Sequence, residues 1–134
     1  MAGEFLDSNV LVYAFTVDRR AARAQALLER GCTISIQGLN EFANVAHRKL
    51  RRSWAEIRAD LAAIRLLCPT IIGIDSGIHE AALRLSERYG FAFFDGLMVA
   101  AAVATGSGTL WSEDMQDGMV VNGTLRIANP FRED

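Results

Sequence analysis

Short, near-continuous apolar segments recur along the chain, EFL, CTISI, TIIGI, FAFF and TLW, and stretches of helical periodicity lie between them. Strands whose residues do not alternate with polar ones are buried on both faces, which is the signature of a parallel sheet covered by helices. The pattern therefore predicts a doubly wound α/β fold. Gly31 stops a helix over DRRAARAQALLERG, and Gly90 stops another over SGIHEAALRLSERYG. QGLNEFANVAHRKL carries Leu39, Phe42, Ala43, Ala46 and Leu50 at helical spacing, and SWAEIRADLAAIRLLC opens with Ser53 and Glu56 in capping-box positions. These two are expected to form a helix pair. FAFFD is expected to be a strand that ends at Asp95, and LRIANPF an edge strand.

A chain of 134 residues, 51% of them apolar, is expected to form one domain spanning 1–134. No basic segment precedes an apolar one at the N-terminus, and the apolar runs fall short of the roughly 18 residues that cross a membrane, so a cytoplasmic protein without membrane association is expected. Cys32 and Cys68 fit no metal or redox spacing and are expected as buried thiols. His47 and His79 fall on helices away from the strand ends, where they serve as surface residues rather than ligands or bases. The net charge is -2, yet four of the fourteen basic residues lie in HRKLRR. Arg48, Arg51 and Arg52 suit bidentate contact with a phosphate backbone. They equally suit a solvated helix end.

In doubly wound sheets ligands bind outside the carboxyl ends of the strands. Asp7 ends EFLD, Asp95 ends FAFFD, Asp114 ends TLWSED, and Glu41 lies in the first turns of the helix after CTISI. Asp117, three residues beyond Asp114, is a candidate fifth carboxylate. Each acid also has a structural reading: Asp7 and Asp95 as helix caps, Asp114 and Asp117 as parts of a polar loop. Four such coincidences at one sheet edge point instead to one acidic site. Carboxylates this close repel one another unless a cation neutralises them, and hard oxygen donors without His or Cys select Mg²⁺ or Mn²⁺. Metal-assisted phosphodiester hydrolysis with two ions fits such a cage. A receiver domain would need a lysine on a late strand, and a haloacid-dehalogenase-type phosphatase an Asp-x-Asp where the chain has Asp7-Ser8-Asn9.

FLDSNVLVYAF, QGLNEF, FFDGLMVAAA and LWSEDMQDG, in that order over nearly the whole chain, resemble the four acidic motifs of PIN domains, and the closing NPF resembles that of bacterial toxin members. The resemblance implies a three-layer α/β/α sandwich with a central, mostly parallel sheet, and a VapC-like ribonuclease toxin of a type II toxin-antitoxin pair. It implies that Asp7, Glu41, Asp95 and Asp114 hold the metal, with Asn9 and Ser112 as polar supports. RNA as substrate and a cognate antitoxin are implied with it. The helical segments QALLERG, WAEIRADLAAIRLLC and LMVAAAVATG offer more apolar surface than one small sheet needs, so a homodimer is expected as well. Two divalent ions add four charges to -2 and leave +2, so the loaded site need not repel RNA. The competing reading is a non-catalytic PIN-fold module that binds a partner protein.

Overall fold

In the computed structural model, which describes residues 3–132, strand β1 (Glu4–Leu6) runs through the middle of a mostly parallel sheet. It pairs in parallel with β4 (Thr109–Trp111), and β4 pairs in parallel with β6 (Leu125–Ala128). The two-residue strand β5 (Val120–Val121) lies antiparallel to β6. On the other side of β1, a parallel bridge from Phe5 to Thr33 leads to β2 (Ile34–Ser35), which pairs with β3 (Ile71–Ile72). The Leu6 N–H donates to the Thr33 carbonyl at 3.1 Å, and the Thr33 N–H donates to Glu4 at 2.9 Å. The order is thus β3-β2-β1-β4-β6-β5, with the switch in direction at β1 and β4.

Two apolar cores cover the two faces. Leu6, Ile34 and Trp111 face helices α1 (Ser8–Tyr13), α2 (Ala21–Glu29), α3 (Ile36–Arg48) and α4 (Trp54–Leu67). Phe5, Leu110, Val121, Leu125 and Ile127 face α5 (Ser76–Tyr89) and α6 (Phe93–Ala104). Neighbours such as Leu110 and Trp111 point to opposite faces because strand side chains alternate. Each fully buried Leu, Ile or Phe contributes about 1.5–3 kcal/mol. The result is the three-layer sandwich with helices on both sides.

The expected helix boundaries hold at their caps. The Ser53 hydroxyl accepts the Glu56 N–H while the Glu56 carboxylate accepts the Ser53 N–H, which completes the capping box of α4. Gly90 closes α5 at φ +76°, and Gly31 follows α2 at the same value, a backbone that costs a residue with a Cβ. Cys32 and Cys68 are both free and buried, and burial pushes their thiols up to about 12 and about 11.

Two expectations fail. FAFFD is not a strand: Ala92 is the N-cap of α6, and Asp95 lies in its first turn. A run of apolar residues reads the same in a buried strand and a buried helix. Packing decides here, since Gly96 lets α6 approach α5 so closely that a Cβ would meet Ser86 Oγ at 2.1 Å and the Ala82 carbonyl at 3.1 Å. Nor is LRIANPF at an edge, because the short β5 pairs outside it. The turn between them places Asn122 at φ +52° and Gly123 at φ +72°, the left-handed backbone for which Asn-Gly is the usual hairpin signal.

Candidate active site

Asp7 follows β1 and forms the N-cap of α1, its Oδ1 accepting the Ser8 N–H at 2.7 Å. Its own N–H donates to the Trp111 carbonyl at 3.0 Å, which ties the end of β1 to the end of β4. The residue is only 5% exposed. Ser112, fully buried just after β4, donates its hydroxyl to Asp7 Oδ2 at 2.7 Å and accepts the Asp114 N–H at 3.3 Å. The Asn9 amide reaches both acids, donating to Asp7 Oδ2 at 3.3 Å and to Asp114 Oδ2 at 3.1 Å. Its oxygen accepts the Glu113 N–H at 3.3 Å. The two carboxylates at the switch point are therefore tied together through the Asn9 amide, while the Ser112 hydroxyl joins the Asp7 carboxylate to the Asp114 backbone.

Burial pushes the Asp7 carboxyl up to about 6, against the bonds from Ser112 and Ser8, and repulsion from Glu41 and then Asp114 adds to the rise. Asp95 is raised as well, by burial first and then by Asp114. Mutual repulsion, the expected cause, is thus the smaller one. The four acids nonetheless share one field, Glu41 from the second turn of α3 and Asp95 from the first turn of α6. Asp114 is exposed, while Glu41 and Asp95 are half-buried. As they stand, no three acidic, histidine or cysteine groups among the described residues are gathered closely enough to hold an ion. The donor set is nonetheless carboxylate oxygen from four elements on one field, which is the chemistry a hard divalent cation takes.

Other candidates are placed elsewhere. Asp117 accepts the Asn129 N–H at 2.8 Å and Arg132 Nη1 at 2.6 Å, and the Asn129 bond, then Arg132, hold its carboxyl below the usual range. Both of these bonds run to the segment after β6. Arg52 forms a two-pronged ion pair with the buried Asp60, Nη2 lying 2.8 Å from Oδ1, and also faces Glu56. It joins the α3–α4 turn to α4 rather than presenting a cation. Arg51, at φ +55°, and Arg48 are exposed. His47 stacks on Trp54 with ring centroids 3.9 Å apart, and His79 packs against Phe93, both on the surface.

Two features escaped the sequence reading. A cleft of about 340 Å³ opens from Asn9 and Asp114, runs over Val12 and Val45, and reaches Lys49. Lys49 also lines the next depression, with Arg48. Glu113, in the same SED stretch as Asp114, accepts the Tyr13 hydroxyl at 2.8 Å and Arg20 Nε at 2.7 Å. Burial, then this bond, raises the Tyr13 phenol, and Arg20 is further bonded to Asp18. The clamp locks α1 to the residue beside Asp114.

The PIN-domain family profile matches residues 5–116, from the first strand through the loop that carries Asp114. The chain belongs to the PIN-domain family. PIN-domain structures of bacterial toxins share its fold. It superimposes on a toxin-antitoxin complex from Klebsiella pneumoniae with a TM-score of 0.74 at 20% identity, covering 97% of this chain and 99% of that one. VapBC2 from Rickettsia felis, bound to a DNA fragment from its promoter, gives 0.68 at 19% identity, with 94% and 97% covered. VapC20 from Mycobacterium tuberculosis, a sarcin-ricin loop cleaving toxin, gives 0.67 at 20% identity, with 83% and 91% covered. No curated protein matches the sequence. No helix among the described residues of this PIN domain is long and apolar enough to cross a membrane.

Proposed function

We propose that this PIN domain is a Mg²⁺- or Mn²⁺-dependent endoribonuclease and the toxin of a toxin-antitoxin pair in the cytoplasm. One observation carries the reading: at the switch point of a PIN fold the Asn9 amide bonds both Asp7 and Asp114, with Glu41 near enough to repel Asp7 and Asp114 near enough to repel Asp95. Asp7, Glu41, Asp95 and Asp114 would hold the metal, one or two ions. Asp117 is left out, because the Arg132 guanidinium already neutralises its carboxylate. A bound divalent ion supplies a water of lowered pKa and positive charge for the phosphate oxygens.

The protein's own groups set up that site. Ser112 and the Ser8 N–H fix the orientation of the Asp7 carboxylate. Asn9 keeps Asp114 beside it in spite of their like charge. Groups of this kind orient ligands, and their loss typically costs 10–100-fold. Lys49, at the far end of the cleft from Asp114, and Arg48, in the adjoining depression, would receive a phosphate of the strand. The matched toxin structures include complexes with antitoxins, which supports a protein inhibitor for this chain too. That inhibitor carries an Arg or Lys to the acidic centre, where it displaces the cation.

The test is cleavage of labelled single-stranded and loop RNAs with Mg²⁺, with Mn²⁺ and with EDTA. Endonucleolytic products in either metal and none in EDTA are expected. Intact RNA under all three conditions would leave the non-catalytic module as the reading.

A further inference from the structure

A second cleft, of about 510 Å³, opens on the sheet face beside α2 and is lined by Arg23, Trp111, Asp117, Arg126, Asn129 and Arg132, among others. Among the described residues, three guanidiniums meet one carboxylate there, in a chain whose net charge is -2. They come from three separate places: α2, β6 and the segment after β6. Two of them are held. Arg23 donates to the Pro130 carbonyl at 3.3 Å and lies over the Trp111 ring at 5.4 Å, and Arg132 is bonded to Asp117 at 2.6 Å. Arg126 is exposed at the Thr109 end of the cleft.

The cleft follows the strands. Thr109 pairs with Arg126 and Trp111 with Ala128, so two strand residues, a rise of about 6.6 Å, separate its ends. Trp111 immediately precedes Ser112, the residue that holds Asp7. One end of the cleft therefore lies within a few residues of the acidic centre, and the other leads away from it.

We propose that this cleft binds the phosphate backbone of an RNA strand that also occupies the acidic centre. The inference rests on the ribonuclease reading for its substrate, but its physical basis is separate. Guanidinium forks match phosphate oxygens in pairs, and those already fixed by Trp111, Pro130 and Asp117 lose little further freedom on binding. Asp117 acts here as a positioning residue. It holds Arg132 in place, which accounts for a carboxylate in a basic cleft. The Trp111 ring is covered by Arg23, so the cleft reads the backbone and not the bases. Binding through it is independent of sequence.

The experiment measures binding of a short labelled single-stranded RNA in EDTA, where no cleavage occurs, as a function of salt. Each phosphate contact to a single strand contributes about 0.7 to the slope of log affinity on log salt. Arg126→Gln, an exposed substitution that leaves the core untouched, should reduce the slope by about 0.7 and weaken binding by about fivefold across sequences. Arg23→Gln combined with Arg126→Gln should reduce it by about 1.4, with thermal melts confirming that both variants fold. Parent-like affinity and slope in the Arg126→Gln protein would overturn the proposal, and so would a parent that does not bind the strand. Asp95→Asn separates this outcome from the nuclease reading. If it abolishes cleavage in Mn²⁺ while the arginine variants bind as the parent does, the cleft alone fails. If the arginine variants lose affinity and no protein cleaves RNA in any metal, the nuclease reading fails and the cleft stands.

Discussion

The side-chain amide of Asn9 lies 3.1 Å from Oδ2 of Asp114, joining the start of α1 to the loop after β4. The same nitrogen is 3.3 Å from Asp7 Oδ2, so one donor offsets part of the repulsion between two acids. Asn9→Ala should therefore lower the cleavage rate by about 10–100-fold. Asn9→Asp, the same size but with a third negative charge, should lower it at least as far and raise the Mn²⁺ concentration needed for half-maximal rate. A rate within twofold of the parent for both variants would show that the bridge has no part in the reaction.

Asp7 predicts a pH dependence of stability. Its folded pKa of about 6 lies above the ordinary 3.8. Between those values the folded protein binds more protons than the unfolded one, so stability from this group falls as pH rises from about 4 to about 6 and then levels off. The penalty at pH 7 is on the order of 3 kcal/mol at 1.36 kcal/mol per pKa unit. Asp7→Asn should melt at or above the parent's temperature in EDTA at pH 7, and its stability should change less between pH 4 and 6. Divalent ions should stabilise the parent by about 2.7 kcal/mol at a hundred times the dissociation constant, and the variant much less. An undiminished Mn²⁺ shift in the variant removes Asp7 from the site.

Arg52 separates a structural cation from a substrate contact. Asp60 is buried, and removing its partner leaves an unpaired charge, so Arg52→Ala should cost about 3 kcal/mol in urea unfolding. Lys49→Gln should cost under about 0.5 kcal/mol, as an exposed substitution does, while weakening RNA binding. The reverse pattern would restore Arg52 as the contact and take Lys49 out of the groove.

Association is the next expectation. The segment LMVAAAVATG, which offered apolar surface in the sequence, is largely core: Leu97 through Ala102 are buried between α5 and the sheet. Leu66 at 83% exposure and Leu67 at 40% remain, at the end of α4. A homodimer through this end should appear in light scattering and dissociate on Leu66→Glu. A parent of monomeric mass at micromolar concentration contradicts it.

The strand-end acids Asp7 and Asp114 were legible because a strand's end and a parallel sheet's carboxyl edge follow from local pattern alone. Glu41 was legible as an acid beside an apolar helical stripe. Asp95 was read on the wrong element, since FAFF satisfies strand and helix alike and only the Gly96 contact with α5 decides. Which charges are available could not be read, because that depends on partners distant in the chain. Arg52 is taken by Asp60, and Asp117 by Asn129 and Arg132. The cleft of Arg23, Arg126 and Arg132 exists only once α2 lies beside β6. The Glu113 clamp was hidden for the same reason, its partners Tyr13 and Arg20 lying at the other end of the chain.

If Asp7, Glu41, Asp95 and Asp114 form one metal-dependent catalytic centre, Asp95→Asn removes one of its ligands. Asp95 makes no cap bond for its helix, so its loss should leave the fold intact, as a circular dichroism melt checks. The measurement is the single-turnover cleavage rate of one labelled RNA in Mn²⁺, parent against variant. A loss of at least about a hundredfold is expected, because a missing ligand misplaces the ion that generates the nucleophile. A folded Asp95→Asn protein that cleaves at the parent's rate would contradict the account.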